Sequence, residues 1–160
     1  MKSEKRWTKN ILRISMLFVI MLLASCSTKN IKSASIHQIK DGNSYQQNAL
    51  YVLEKDKIFV YKTYSLNPES GDTFEGLEAQ LQEINDQLKE EAPNQKNLSM
   101  EDIGAMQKIE VQNGKVVIDK SKKEVTLSGD DFEKTFQMVD SNPKRLIDSQ
   151  KNEYEFSYEE

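Results

Sequence analysis

Gly129-Asp130-Asp131-Phe132-Glu133-Lys134-Thr135-Phe136-Gln137-Met138-Val139 is the stretch whose reading decides the fold. At a helical period Phe132, Phe136 and Val139 share one face, and Asp130 with Glu133 has the spacing of a capping box. Pro143 then closes the segment. The pattern predicts a helix here, the second of the chain. The first is written more strongly: Phe74, Leu77, Leu81, Ile84 and Leu88 recur at three and four residues among polar neighbours. Asp72 and Glu75 have capping-box spacing at its start, and Ala92-Pro93 stops it.

Outward from these two helices the signals are those of strands. Leu50-Tyr51-Val52-Leu53 and Ile58-Phe59-Val60-Tyr61 flank the charged Glu54-Lys55-Asp56-Lys57 and read as a hairpin. Turn chemistry from Ser65 to Asp72 ends it. Residues 108–112, 115–119 and 124–128 read as a three-strand meander, with Asn113-Gly114 as a type I′ hairpin pair and Lys120-Ser121-Lys122-Lys123 as the second turn. Glu153-Tyr154-Glu155-Phe156-Ser157-Tyr158 alternates strictly and predicts a last strand with its aromatic face inward. The expected fold is therefore α+β: a small antiparallel sheet of hairpin, three-strand meander and C-terminal strand, packed with two helices.

The N-terminal end has a different logic. Lys2, Lys5, Arg6, Lys9 and Arg13 stand against the single acid Glu4, and residues 14–24 carry no charge. A helix crossing a bilayer needs about 20 apolar residues. This run is too short for that and has the form of a signal peptide's charged and hydrophobic regions. Leu23-Ala24-Ser25-Cys26 closes it. These residues resemble the lipobox of bacterial lipoproteins, in which an aliphatic residue and two small residues precede the cysteine that is lipidated. The resemblance implies diacylglyceryl transfer to Cys26 and cleavage between Ser25 and Cys26. Two acyl chains make a stable anchor, because each buried methylene contributes about 0.8 kcal/mol.

The expected organisation is a signal peptide over residues 1–25, a lipidated cysteine and flexible tether over 26–48, and one extracytoplasmic domain over 49–160. The tether is rich in Ser, Asn, Gln and Lys. As a coil of about 22 residues it has an end-to-end distance of roughly 25 Å. Lys29, Lys32 and Lys40 are placed to meet anionic head groups, at about 1 kcal/mol each near the surface. Ile31, Ile36 and Ile39 mark the alternative, in which part of this stretch joins the sheet as an extra strand.

Without its leader the chain holds 17 basic and 25 acidic residues, a formal charge of −8. That argues against nucleic acid, whose phosphates need clustered Lys and Arg, and suits a cationic partner. Cys26 is the only cysteine and His37 the only histidine. Disulfides, histidine-based triads and zinc sites of several His or Cys ligands are thereby excluded. No Gly-rich phosphate loop or nucleophile elbow occurs. Asp130, Asp131 and Glu133 are sufficiently explained as helix capping, and Glu69 with Asp72 forms only a loose acidic loop. No catalytic residue, metal or cofactor is expected, and the chain reads as a binding protein and not an enzyme. Tyr51, Tyr61, Tyr64, Tyr154 and Tyr158 fall on or beside predicted strands and are the candidate ligand-binding residues, since tyrosine offers a large surface with a polar tip.

A lipobox, a polar tether and an acidic cysteine-free domain of this size together are similar to the small immunity lipoproteins of lantibiotic producers, of the subtilin-immunity type. That similarity implies a protein on the extracytoplasmic face of the cell membrane, held to the bilayer by diacylglyceryl-cysteine, that sequesters a cationic antimicrobial peptide. The competing expectation is an accessory lipoprotein docking on a transporter or cell-wall complex.

Overall fold

The computed structural model describes residues 31–67 and 73–160. Nine strands form one antiparallel sheet: β1 (Ser33–Lys40), β2 (Gln46–Glu54), β3 (Lys57–Ser65), β4 (Gln107–Val111), β5 (Lys115–Asp119), β6 (Glu124–Gly129), β7 (Phe132–Val139), β8 (Asn142–Ile147) and β9 (Glu153–Glu159). Among the described residues one α-helix, α1 (Phe74–Glu91), and a 3-10 turn, Met100–Asp102, lie between β3 and β4. The spatial order is β4-β3-β2-β1-β9-β8-β7-β6-β5. Two up-and-down runs thus meet where β1 pairs with β9, Ile36 opposite Phe156. Over the described residues the fold is a half-barrel covered by one helix, not an α+β sheet packed with two.

The second expected helix is the hairpin β6–β7. Phe132, Lys134, Phe136 and Met138 all face inward, so the true period is two. A lysine at one inward position hides that period, and Phe132 and Phe136, four apart, satisfy either template. Asp131 adopts φ 51° at the turn, and Asp140 and Ser141, both with positive φ, make the two-residue turn into β8. Pro143 does not close a helix. It sits near the start of β8, where proline is tolerated.

The expected meander is also corrected. β5 pairs with β6, but β4 pairs with β3, so β4 and β5 are opposite edges of the sheet. Asn113-Gly114 therefore does not close a hairpin. The Gly114 N–H donates to the Asp56 carbonyl at 2.6 Å, and the Asp130 N–H donates to the Gln112 carbonyl at 2.9 Å. These two bonds bring the far corners of the curled sheet together.

The ladder also claims much of the stretch that composition assigns to a tether. Ala34, Ile36 and Gln38 alternate inward along β1, which lies mid-sheet between β2 and β9. The outward Ser33, Ser35 and His37 give the strand its linker-like composition. Ser33–Lys40 and the first residues of Gln46–Glu54, expected within the tether, are thus strands of the sheet.

The core occupies the concave face. Ile36, Tyr51, Leu53, Ile58, Val125, Leu127, Phe136, Leu146, Tyr154 and others form its main cluster. Tyr51, Phe136 and Tyr154 meet edge to face, the last two with centroids 4.9 Å apart. The helix covers this face. Thr73, not Asp72, is its N-cap, its side chain accepting from the Gly76 N–H at 3.1 Å. Ile84 and Leu88 pack with Tyr45, Tyr64 and Leu98 in a second cluster.

Candidate functional site

Charge inside the half-barrel is concentrated around one carboxylate. Glu91 ends α1, one i+3 step beyond Leu88 on the buried stripe. Its Oε2 lies 2.5 Å from Lys62 Nζ on β3, and its Oε1 lies 2.6 Å from Lys134 Nζ on β7. Lys134 also reaches Asp148 Oδ2 at 3.3 Å. The Tyr154 hydroxyl donates to the same oxygen at 2.9 Å, and Asn152 supplies Nδ2 at 3.0 Å. The Tyr51 hydroxyl donates to Glu91 Oε2 at 3.5 Å. Glu91, Lys62, Lys134 and Asp148 are all buried. Two cations thus face two anions, and the helix end is tied to both walls of the sheet at once.

Burial alone would push the Glu91 carboxyl up, but the two lysine ammonium groups outweigh it and hold the carboxyl below its ordinary range. Glu91 therefore stays ionised at neutral pH. Burial raises the Tyr51, Tyr64 and Tyr154 phenols, with Glu91 adding at Tyr51 and Tyr64 and Asp148 adding at Tyr154. These groups are acids and bases by type, yet they face one another and not a substrate space. The gap nearest them, between Val60, Lys62, Leu88 and Ile109, is too narrow for a water molecule. The arrangement is a lock.

Three of the five candidate tyrosines are corrected by this. Tyr51, Tyr64 and Tyr154 lie on the inward phase of their strands and are buried, so they cannot form a recognition surface. Tyr61 remains half exposed on the outer face, where Lys108 Nζ sits 5.7 Å from its ring centroid. Tyr158 is half buried at the rim and stacks on Phe156 at 5.0 Å. Ser25 and Cys26, the expected cleavage and lipidation residues, lie outside the described residues. Sequence reasoning missed Lys62, Glu91, Lys134 and Asp148. For three of them a signal exists: Lys62 interrupts the alternation Ile58, Val60, Tyr64, Lys134 interrupts Phe132, Phe136, Met138, and Glu91 continues the helix stripe.

The surface available to a partner is the outer face. Glu155, His37, Leu50, Tyr61 and Lys108 line up in cross-strand register there, beside Ser157, Ser35, Val52, Phe59 and Glu110. Ser33, Ser35 and Ser157 carry small side chains, so a groove of about 360 Å³ runs along β1, edged by Val52, Glu54 and Glu159. A neighbouring groove of about 410 Å³ continues past His37 to Lys144, Arg145 and Glu155. Among the described residues no helix is long and apolar enough to cross a membrane.

The fold and this geometry define a helix-locked antiparallel half-barrel whose open surface is its convex side. Comparison with protein-family models, curated proteins and solved structures finds no match for the chain.

Proposed function

We propose that this chain is a lipid-anchored extracytoplasmic binding protein whose ligand is a cationic, amphiphilic peptide, and that its role is immunity by sequestration. One observation carries the reading. An apolar core packs the concave side, while the outer groove is flanked by Glu54 and Glu159 at the sheet end where the chain enters from Cys26. Ser33 is seven residues on from Cys26, at most about 25 Å when fully extended. An anchor at Cys26 keeps that groove in the layer where a membrane-seeking cationic peptide accumulates, and confinement there raises its effective concentration. Glu54 has no ion pair among the described residues and is available to a cation.

The test is growth of a sensitive host with and without the gene against a panel of lantibiotics. Tolerance to at least one peptide is expected, lost on Cys26→Ala and weakened by Glu54→Gln with Glu159→Gln. Unchanged tolerance with abundant, lipidated protein removes the immunity reading. A second reading, docking on a membrane complex, is favoured by the outward apolar Leu50, Phe59 and Tyr61 and by exposed Met106. It predicts that a photo-crosslinker placed at Tyr61 captures a membrane protein and that lantibiotic tolerance stays flat.

A further inference from the structure

Among the described residues the half-barrel leaves two sheet edges unpaired, and they differ. β4 is a guarded edge: Glu110 is bound to Lys57 at 2.7 Å, and Lys108 lies over the Phe59 and Tyr61 rings at 5.2 and 5.7 Å. Charges committed in this way protect an edge from foreign strands. β5 is not guarded. Its sequence, Lys115-Val116-Val117-Ile118-Asp119, presents a row of backbone groups beyond β6 with Val117 at its centre, 38% exposed.

We propose that β5 is an interface for a second copy of this chain, pairing antiparallel with β5 of that copy about a two-fold axis through Val117. The segment is self-complementary in that register. Lys115 of each copy falls opposite Asp119 of the other, Val116 opposite Ile118, and Val117 opposite its own equivalent. Side chains directly opposite in an antiparallel pair point to the same face. The two ion pairs and the valine pair therefore lie on the outer face, while Val116 and Ile118 extend the apolar inner face from one copy into the next. Lys115 makes no ion pair among the described residues, so its charge is free for the partner. Asp119 Oδ1 caps the β5–β6 turn through Ser121 and Lys122, but among the described residues Oδ2 has only Lys122 Nζ, at 4.0 Å, and remains available. Such an isologous contact closes on itself and satisfies both exposed edges without building a filament.

Cysteine crosslinking with a short bis-maleimide tests the register, using the full chain in a Cys26→Ser background. Val117→Cys is expected to give a covalent dimer. Thr126→Cys, displaced by one strand from the axis, is expected to give at least fivefold less. Adding Lys115→Glu to Val117→Cys sets like charges opposite at two symmetric places and lowers the yield about tenfold. Asp119→Lys does the same. Mixing the two reversed chains restores the crosslink as a heterodimer, because each introduced charge then meets its opposite. That restoration also shows that both variants are folded. Absence of a Val117→Cys dimer, equal yields at the two positions, or a mixture that stays uncrosslinked overturns the proposal. Capture of a different protein in place of a second copy also overturns it.

Discussion

Lys134 on β7 and Lys62 on β3 stand on opposite arms of the curled sheet, and each places its ammonium group on a different oxygen of the Glu91 carboxylate. The helix end is thereby fixed in two directions by one side chain. Hydrophobic packing of Ile84 and Leu88 supplies attraction without direction, whereas two charge-assisted bonds specify where the last helical turn must sit.

Glu91→Gln should therefore be among the costly single substitutions of this chain. It leaves two buried ammonium groups facing a neutral amide, and removing one partner of a buried pair costs about 3 to 5 kcal/mol. Lys57→Ala, which removes half of an exposed pair with Glu110, should cost no more than about 1 kcal/mol. Urea unfolding of both variants measures the contrast. Equal small losses would mean that the network contributes nothing to the fold.

Acid sensitivity follows from the same carboxylate. Its native proton affinity is below the ordinary value of 4.5, so the unfolded chain takes up a proton more readily than the native one. The stabilisation is complete above about pH 4.5 and is lost as pH falls through the native value. Melting temperature measured from pH 7 down to pH 3 should drop steeply below 4.5. In Glu91→Gln that part of the drop should be missing.

The alternating runs around Tyr51, Val60 and Tyr154 declare their strands plainly, because apolar residues fill every inward position they need. The helix is equally legible from Phe74 to Leu88. What misleads is polar residues turned inward. Lys134 in β7 and Gln38 in β1 occupy core-facing positions, and each breaks the period that would have announced a strand. Their partners Glu91 and Gln47 come from other elements, a link that one strand's own sequence does not carry. The candidate tyrosines suffer from the converse problem. Alternation tells which residues share a face, but not which face is covered, and α1 covers the face that holds Tyr51, Tyr64 and Tyr154.

At high pH these buried phenols set the limit. Tyr45, Tyr51, Tyr64 and Tyr154 are all raised above the ordinary value of 10.0, chiefly by burial. The native state holds their protons more tightly than the unfolded state does, so stability is unaffected below pH 10 and falls as pH rises beyond it. Absorbance of tyrosinate should therefore show a cooperative step that coincides with loss of far-ultraviolet circular dichroism. Smooth ionisation of all six tyrosines before unfolding would contradict the buried placement.

Two of those hydroxyls should behave oppositely on deletion. The Tyr154 hydroxyl donates to Asp148, a bond to a charged acceptor worth about 1.5 to 3 kcal/mol. The Tyr64 hydroxyl is buried with no partner among the described residues. Tyr154→Phe is expected to destabilise by that amount, while Tyr64→Phe should be neutral or slightly stabilising, since it removes an uncompensated polar group. Denaturant midpoints of the two variants decide the matter, and a large loss for Tyr64→Phe would point to a bridging water at that hydroxyl.

The corner contact that curls the sheet can be attacked at Gly114. A Cβ there would lie 2.7 Å from the Ile58 side chain, 2.9 Å from the Ile58 backbone nitrogen and 3.0 Å from the Lys57 carbonyl carbon. Two of these three are backbone atoms, which do not rotate away. Gly114→Ala must therefore separate residues 112–114 from the β2–β3 turn and strain the Gly114 to Asp56 hydrogen bond. A cost of about 1 to 3 kcal/mol is expected. Hydrogen exchange should also show the Gly114 and Asp130 amides losing protection together while β1 and β9 keep theirs. Gly104→Ala is the informative comparison. Gly104 has φ +85° but nothing within 4 Å of its added Cβ, so it should cost only the backbone strain, about 1 kcal/mol, without disturbing either amide.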